Sequence, residues 1–187
     1  MNYINQIKAY TPINAQEARE KEVILDYINQ FPETILTREN AFAHMTSSGF
    51  IMNKDLTKVL MIHHNIYNTW AWTGGHADGD EDLLYVAIKE AKEETGIIDV
   101  KPLANEIASI DILPVVGHIK KGEYVATHMH LNVAYILIAD EMQTLHINEA
   151  ENSDVKWLKL EEIESHCNEP EIVKIYHKLI ERAKNMA

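Results

Sequence analysis

The chain has 187 residues, 46% of them apolar, and a formal net charge of −12. That size supports one domain, or one domain with an extension, around a single core. The acidic balance argues against nucleic acid or an acidic membrane surface as partner, and no run of about 18 apolar residues is present to span a bilayer.

Residues 1–45 read as a helical extension ahead of a main domain at 46–187. The first residues lack the basic-then-apolar order of a signal peptide. Thr11-Pro12 interrupts the chain, and Asn14 followed by Glu17 makes a capping-box signal with asparagine in place of Ser or Thr. Ala18, Ile24, Leu25, Ile28 and Phe31 then mark the apolar side of a helix ending near Phe31-Pro32, suited to packing against the domain or a second subunit. Residues 49–52 and 59–62 read as strands joined by the polar turn Asn53-Lys54-Asp55. Trp70 and Trp72 share a strand face; core packing is the preferred reading, with Trp70 kept as a candidate substrate contact. After the turn Thr73-Gly74-Gly75, a helix is predicted from Asp82 to Thr95. Leu84, Ala87, Ile88 and Ala91 form its buried stripe, Asp80, Glu81 and Asp82 favour its positive end, and Gly96 suits a left-handed cap. Strands are predicted at 106–116, 127–138 and 155–158. Cys167 is the single cysteine, which excludes an internal disulfide and fits a reducing cytoplasm; it reads as part of a C-terminal helical segment rather than as a nucleophile. Pro170 opens a last helix with the stripe Ile172, Ile175, Tyr176, Leu179 and Ile180. Helices before, amid and after several strands predict an α/β fold, a mixed sheet covered on both faces.

The most informative stretch is GHADGDEDLLYVAIKEAKEETGI, residues 75–97. At about 100° per residue, Glu90, Glu93 and Glu94 fall within a roughly 100° arc of one helix. Like charges packed this closely repel unless a cation sits among them. Oxygen ligands on a rigid helix suit a hard ion such as Mg²⁺, with Mn²⁺ a possible substitute, and Mg²⁺ also binds substrate phosphates. A solvated charged helix face is the plain alternative, but it leaves the flanking Gly74-Gly75 and Gly96 unexplained.

This stretch resembles the Nudix box, G-x5-E-x7-R-E-U-x-E-E-x-G-U, where U is a bulky aliphatic residue. Gly75, Glu81, Glu90, Glu93, Glu94, Gly96 and Ile97 fall on pattern positions. Lys89 stands where the family has arginine, keeping the charge but losing the planar fork, and Ala91 is smaller than the usual aliphatic residue. The resemblance implies an α/β/α sandwich with a loop–helix–loop catalytic box. It implies a Mg²⁺-dependent pyrophosphohydrolase acting on a nucleoside diphosphate linked to another moiety. Glu90 and Glu94 are then the main ligands, Glu93 a further ligand or the general base, and Gly74, Gly75, Glu81, Lys89 and Gly96 the support of the loop. The family's frequent dimers admit a homodimer here. Two other activities stand beside it. One is a catalytically weak sensor binding a nucleotide or nucleotide-sugar, favoured by Lys89. The other is an enzyme like isopentenyl diphosphate isomerase, which shares the fold and resembles the chain around Trp70 to His76 but uses a cysteine ahead of the box, where this chain has none.

Outside the box, residues 127–135 alternate: His128, His130 and Asn132 point one way and Met129, Leu131, Val133 and Tyr135 the other. Either the polar file lines a substrate cleft or the strand is an edge with one wet face. His128 and His130 alone make a poor zinc site, since neither a cysteine nor a third ligand is apparent. His76, just inside the box, is a candidate phosphate or substrate contact, with a helix-entry hydrogen bond as the equal alternative. The acidic loop 148–153 offers Glu151 or Glu149 as an extra carboxylate, against the simpler reading of a solvent-exposed turn.

Overall fold

The computed structural model describes residues 2–120 and 122–186. Two helices open the chain, α1 (Tyr3–Ala9) and α2 (Ala15–Gln30). The Asn14 side chain caps α2 by accepting from Glu17 N–H at 2.9 Å. Glu17 does not close a capping box, because its carboxylate accepts instead from Ile13 N–H and the Tyr10 hydroxyl, each at 2.8 Å. The seven residues of α1 are too short a run to show helical periodicity, which is why the sequence reading passes over it.

The strands are β1 (Ala43–Asn53), β2 (Lys58–His64), β3 (Thr69–Ala71), β4 (Thr73–His76), β5 (Val100–Pro102), β6 (Ser109–Val115), β7 (His118–Lys120), β8 (Glu123–Val125), β9 (His128–Ala139) and β10 (Asn152–Lys159). The box helix is α3 (Leu83–Thr95); α4 (Ile163–His166) and α5 (Pro170–Met186) close the chain. The main sheet runs β10-β2-β1-β9-β5. β1 and β9 are parallel and every other pair is antiparallel, so the sheet is mixed. Both central strands change partners along their length. β1 pairs β4 at residues 46–49 and β2 at 51–52, while β9 pairs β6 at 128–134 and β5 at 137–139. β7 and β8 form a separate hairpin.

Alternation along β1 and β9 sends Met45, Ile51, Val133, Tyr135 and Leu137 to one core layer and Phe50, Met52, Ala134 and Ile136 to the other. The first layer is covered by α1, α2 and α3, the second by α4 and α5. This is the expected sandwich of helices on both sheet faces. Among the described residues, no helix is long and apolar enough to cross a membrane.

Three expectations need correction. β1 starts at Ala43 rather than at Gly49, because small polar residues on both faces of 44–48 hide its period. The buried stripe of α3 is Leu83, Val86, Ala87 and Ala91, with Leu84 and Ile88 only partly covered. That small rotation carries Glu94 inward with the apolar residues. On α5, Val173 and Ala183 join Tyr176, Leu179 and Ile180, whereas Ile172 and Ile175 pack at the margin.

Candidate active site

The carboxylate side of the site is built by two glycines and a helix. Gly74 and Gly75 lie on β4 opposite Ser48 and Ser47 of β1. A Cβ on Gly75 would stand 2.7 Å from both carboxylate oxygens of Glu90, so bare backbone is what lets Glu90 lie over the strand. Gly74 N–H donates to Glu94 Oε2 at 3.0 Å. Asp82 caps the start of α3 by accepting from Tyr85 N–H, and Gly96, at φ 75°, ends it. The helix therefore delivers both glutamates to one place.

A third carboxylate arrives from the loop before β10. One oxygen each of Glu90, Glu94 and Glu151 lie within 4.8 Å of one another. The loop is strapped down by Asn152, fully buried, whose Nδ2 donates to Glu94 O at 2.9 Å and whose Oδ1 accepts from Asn148 N–H at 3.3 Å. Asn65 N–H adds a bond to Glu151 O at 3.0 Å. Glu149 is exposed and outside the cluster. Glu93 also stands outside it, half-exposed and 3.9 Å from Lys89 Nζ, which lies 3.5 Å from Glu90 Oε1. The lysine thus touches both glutamates as a point charge.

Glu94 is only 3% exposed. Burial pushes its carboxyl well above the usual carboxylate range, and the charges of Glu151, Glu90 and Glu93 push the same way against the Gly74 N–H. Burial also raises Glu90, with Lys89 opposing and Glu93 and Glu151 reinforcing. Three oxygens held this close, two of them on carboxylates that resist ionising alone, fit a divalent cation that would offset their repulsion.

The cluster opens into a cavity of about 760 Å³, the size of a small-molecule site. It is also lined by the polar file of β1 and β9: His44, Thr46 and Ser48 beside His128, His130 and Asn132, with His76 at the end of β4. Thr46 and Ser48 hydroxyls both donate to Asn132 Oδ1 at 2.9 Å, which turns the buried amide nitrogen of Asn132 out as a donor with no protein partner. β9 is an interior strand, so the edge-strand reading of residues 127–135 does not hold.

Of the residues singled out by sequence, Glu90, Glu93, Glu94, Glu151, His76, His128, His130, Asn132, Gly74, Gly75 and Lys89 all line this cavity. Trp70 does not. Its ring lies under Lys156 Nζ at 4.2 Å and against His63 and His166, and Trp72 reaches the cavity instead. Glu81 is exposed on the loop before α3, and Gly96 serves the far end of that helix. The sequence reading missed His44, Thr46, Ser48 and the Arg38–Asp78 pair, which also line the cavity. The alternating 44, 46, 48 repeats the pattern of 128, 130, 132, a signal that could have found the first three.

A cleft with clustered carboxylates at a glycine–helix turn on a mixed sheet defines a class of hydrolase whose members share one domain. The NUDIX domain family model matches residues 43–182, about three quarters of the chain. The chain belongs to the Nudix family, and it is an enzyme of that family's pyrophosphohydrolase kind. No curated protein matches the sequence. Solved structures give the same fold. RenU, a Nudix hydrolase from M. smegmatis, is 16% identical at TM-score 0.55, covering 78% of this chain and 89% of its own. The E. coli dihydroneopterin triphosphate pyrophosphohydrolase is 16% identical at TM-score 0.53, covering 74% and 92%. A C. elegans Ap4A hydrolase in a binary complex is 17% identical at TM-score 0.51, covering 75% and 95%.

Proposed function

We propose that the protein hydrolyses a diphosphate bond in a nucleoside diphosphate linked to another moiety, with Mg²⁺ as the working ion. The observation that carries this is the cluster of Glu90, Glu94 and Glu151 facing a cavity large enough for such a substrate. Those three carboxylates would hold the ion. When bound, it supplies positive charge for the diphosphate and makes an attacking water more acidic. The chain's own residues do the rest. Glu93, outside the cluster and facing the cavity, is assigned as the acceptor of the water's proton, with Glu90 as the alternative. Lys89 offsets the repulsion between Glu90 and Glu93 as a shared counter-charge. The Asn132 amide nitrogen, buried at the cavity lining with no protein partner, is assigned as a further donor to the substrate. Residues 1–45 are read as an extension packed on the hydrolase domain. The isomerase reading is disfavoured, since the Cys167 thiol donates to Trp70 O at 3.0 Å and burial pushes it up to about 12.

The test is a panel of sugar nucleotides, dinucleoside polyphosphates and nucleoside triphosphates with Mg²⁺ or Mn²⁺, scored for phosphate-containing products. One compound class should turn over, and Glu94→Gln should lower kcat at least about 100-fold. Full Mg²⁺-dependent turnover by that variant would sink the assignment. Tight binding of a panel member without turnover would instead make the protein a sensor.

A further inference from the structure

The same cavity holds a second cluster with different chemistry. His44 on β1, His76 on β4, and His128 and His130 on β9 each offer one ring nitrogen, and these four atoms lie within 4.8 Å of one another. Strand pairing puts them there: His44 is opposite His130, and His76 is opposite Thr46, two residues along β1 from His44. The rings sit 4.8 to 5.4 Å apart by centroid.

The backbone sets the tautomer of two of them. His44 Nδ1 bonds Asn40 O at 2.9 Å, and His128 Nδ1 bonds Ala126 O at 2.8 Å. A carbonyl only accepts, so each Nδ1 carries the hydrogen, which leaves Nε2 as the nitrogen able to bind a metal. This is the outer hydrogen bond that metal-binding histidines characteristically make. His44 is 4% exposed, and its Nε2 has no hydrogen-bond partner. A buried, unpartnered acceptor is costly unless something occupies it. His128 Nε2 stands 3.3 Å from His130 Nε2. Tetrahedral zinc with bonds of about 2.0–2.1 Å spaces its ligand atoms about 3.4 Å apart, so that edge is already formed. Burial, and then its histidine neighbours, push His130 down to about 2, a direction that disfavours the protonated ring.

We propose that His44, His76, His128 and His130 bind a transition-metal ion of the zinc class, in a four-imidazole site separate from the carboxylate cluster. Imidazole nitrogen selects such ions over Mg²⁺, which takes oxygen. The occupied site would add positive charge to a cavity whose cationic side chains, among the described residues, are Lys89 and Arg38, the latter held bidentate by Asp78. Binding of this ion does not depend on the hydrolase reading above.

The experiment is a Co²⁺ titration of chelator-treated wild-type protein, followed by visible absorption. One equivalent should give the intense bands of tetrahedral cobalt and be displaced by Zn²⁺. X-ray absorption of the zinc-loaded protein should show imidazole scattering at a bond length of about 2.0 Å. The double variant Glu90→Gln/Glu94→Gln should keep the cobalt spectrum, whatever its turnover. His44→Gln/His128→Gln should weaken binding at least about 100-fold. Absent tetrahedral bands in the wild type, or an oxygen-only zinc shell, would overturn the proposal without requiring any histidine variant to fold. So would loss of the spectrum in the glutamate variant, which would place the ion at the carboxylates.

Discussion

Glu94 combines two demands that oppose each other in the metal-free protein. It is packed inside with the apolar stripe of α3, yet it is one of the three clustered carboxylates. Its folded pKa lies above the unfolded value of 4.5, as does that of Glu90, so the folded state binds these protons more tightly. Stability from this source is fully present below the unfolded pKa and is lost as pH rises through the folded one. Thermal unfolding of chelator-treated protein between about pH 5 and about pH 8 should therefore show wild type losing ground against Glu94→Gln as pH rises. The variant keeps the shape and one acceptor for the Gly74 N–H without the buried charge. Comparing the two proteins cancels the titrating groups that lie away from the cluster. Added Mg²⁺ should raise the wild type at the high-pH end and leave the variant nearly unmoved. Equal pH slopes in both proteins would show that the environment of Glu94 does not favour its neutral form.

Between elements, the decisive tie is Asn152, which fixes the loop carrying Glu151 to the Glu94 carbonyl near the end of α3. Asn152→Ala leaves those buried groups unpaired and should cost about 1–3 kcal/mol, a drop in Tm of several degrees. It should also lower kcat by at least about tenfold, as Glu151→Gln should, because the third carboxylate loses its register. A fall in Tm with unchanged kcat would remove Glu151 from the site. The same junction shows where sequence reading works and where it stops. The box helix was legible, both ends included, because Asp82, Gly96 and the glutamate spacing are local signals that act within one turn. Its rotation was not, because the half-buried Leu84 and Ile88 look as apolar as the buried Leu83 and Val86, and only packing on β1 and β4 distinguishes them. Glu151 lies 57 residues beyond Glu94 in the chain, and nothing near it in sequence records that Asn152 will bond the helix. The histidine pair of β9 was visible as a pair. Its third and fourth members were not, because His44 belongs to a strand whose first half carries polar residues on both faces and His76 ends a strand of only four residues.

On the scale of the whole molecule, helix α2 is bound to the sheet and α5 by charge as well as by apolar contact. Lys178 Nζ on α5 lies 2.7 Å from Glu17 Oε1 on α2 and 2.7 Å from Asp111 Oδ1 on β6. Glu17 is 1% exposed and also accepts the Tyr10 hydroxyl, so three segments distant in sequence meet at one buried cation. Burial raises the Asp111 carboxyl, and Lys178 opposes that rise. Lys178→Met would keep the packing of the stem but leave two carboxylates facing each other with no counter-charge. Breaking a buried ion group by removing one member is expensive, so a loss of about 3–5 kcal/mol is expected from urea unfolding. The loss should be largely recovered when Glu17→Gln and Asp111→Asn are added, since an uncharged trio carries no desolvation penalty of that kind. Tyr3, Ile7, Tyr10, Ile24 and Ile28 also fill the first core layer. Chain starting at residue 46 should accordingly expose that layer, lose the Glu17 contact and β1's opening residues, and unfold at lower urea than the full protein. Equal urea midpoints for the shortened and full chains would mean that the extension contributes nothing to the core it covers.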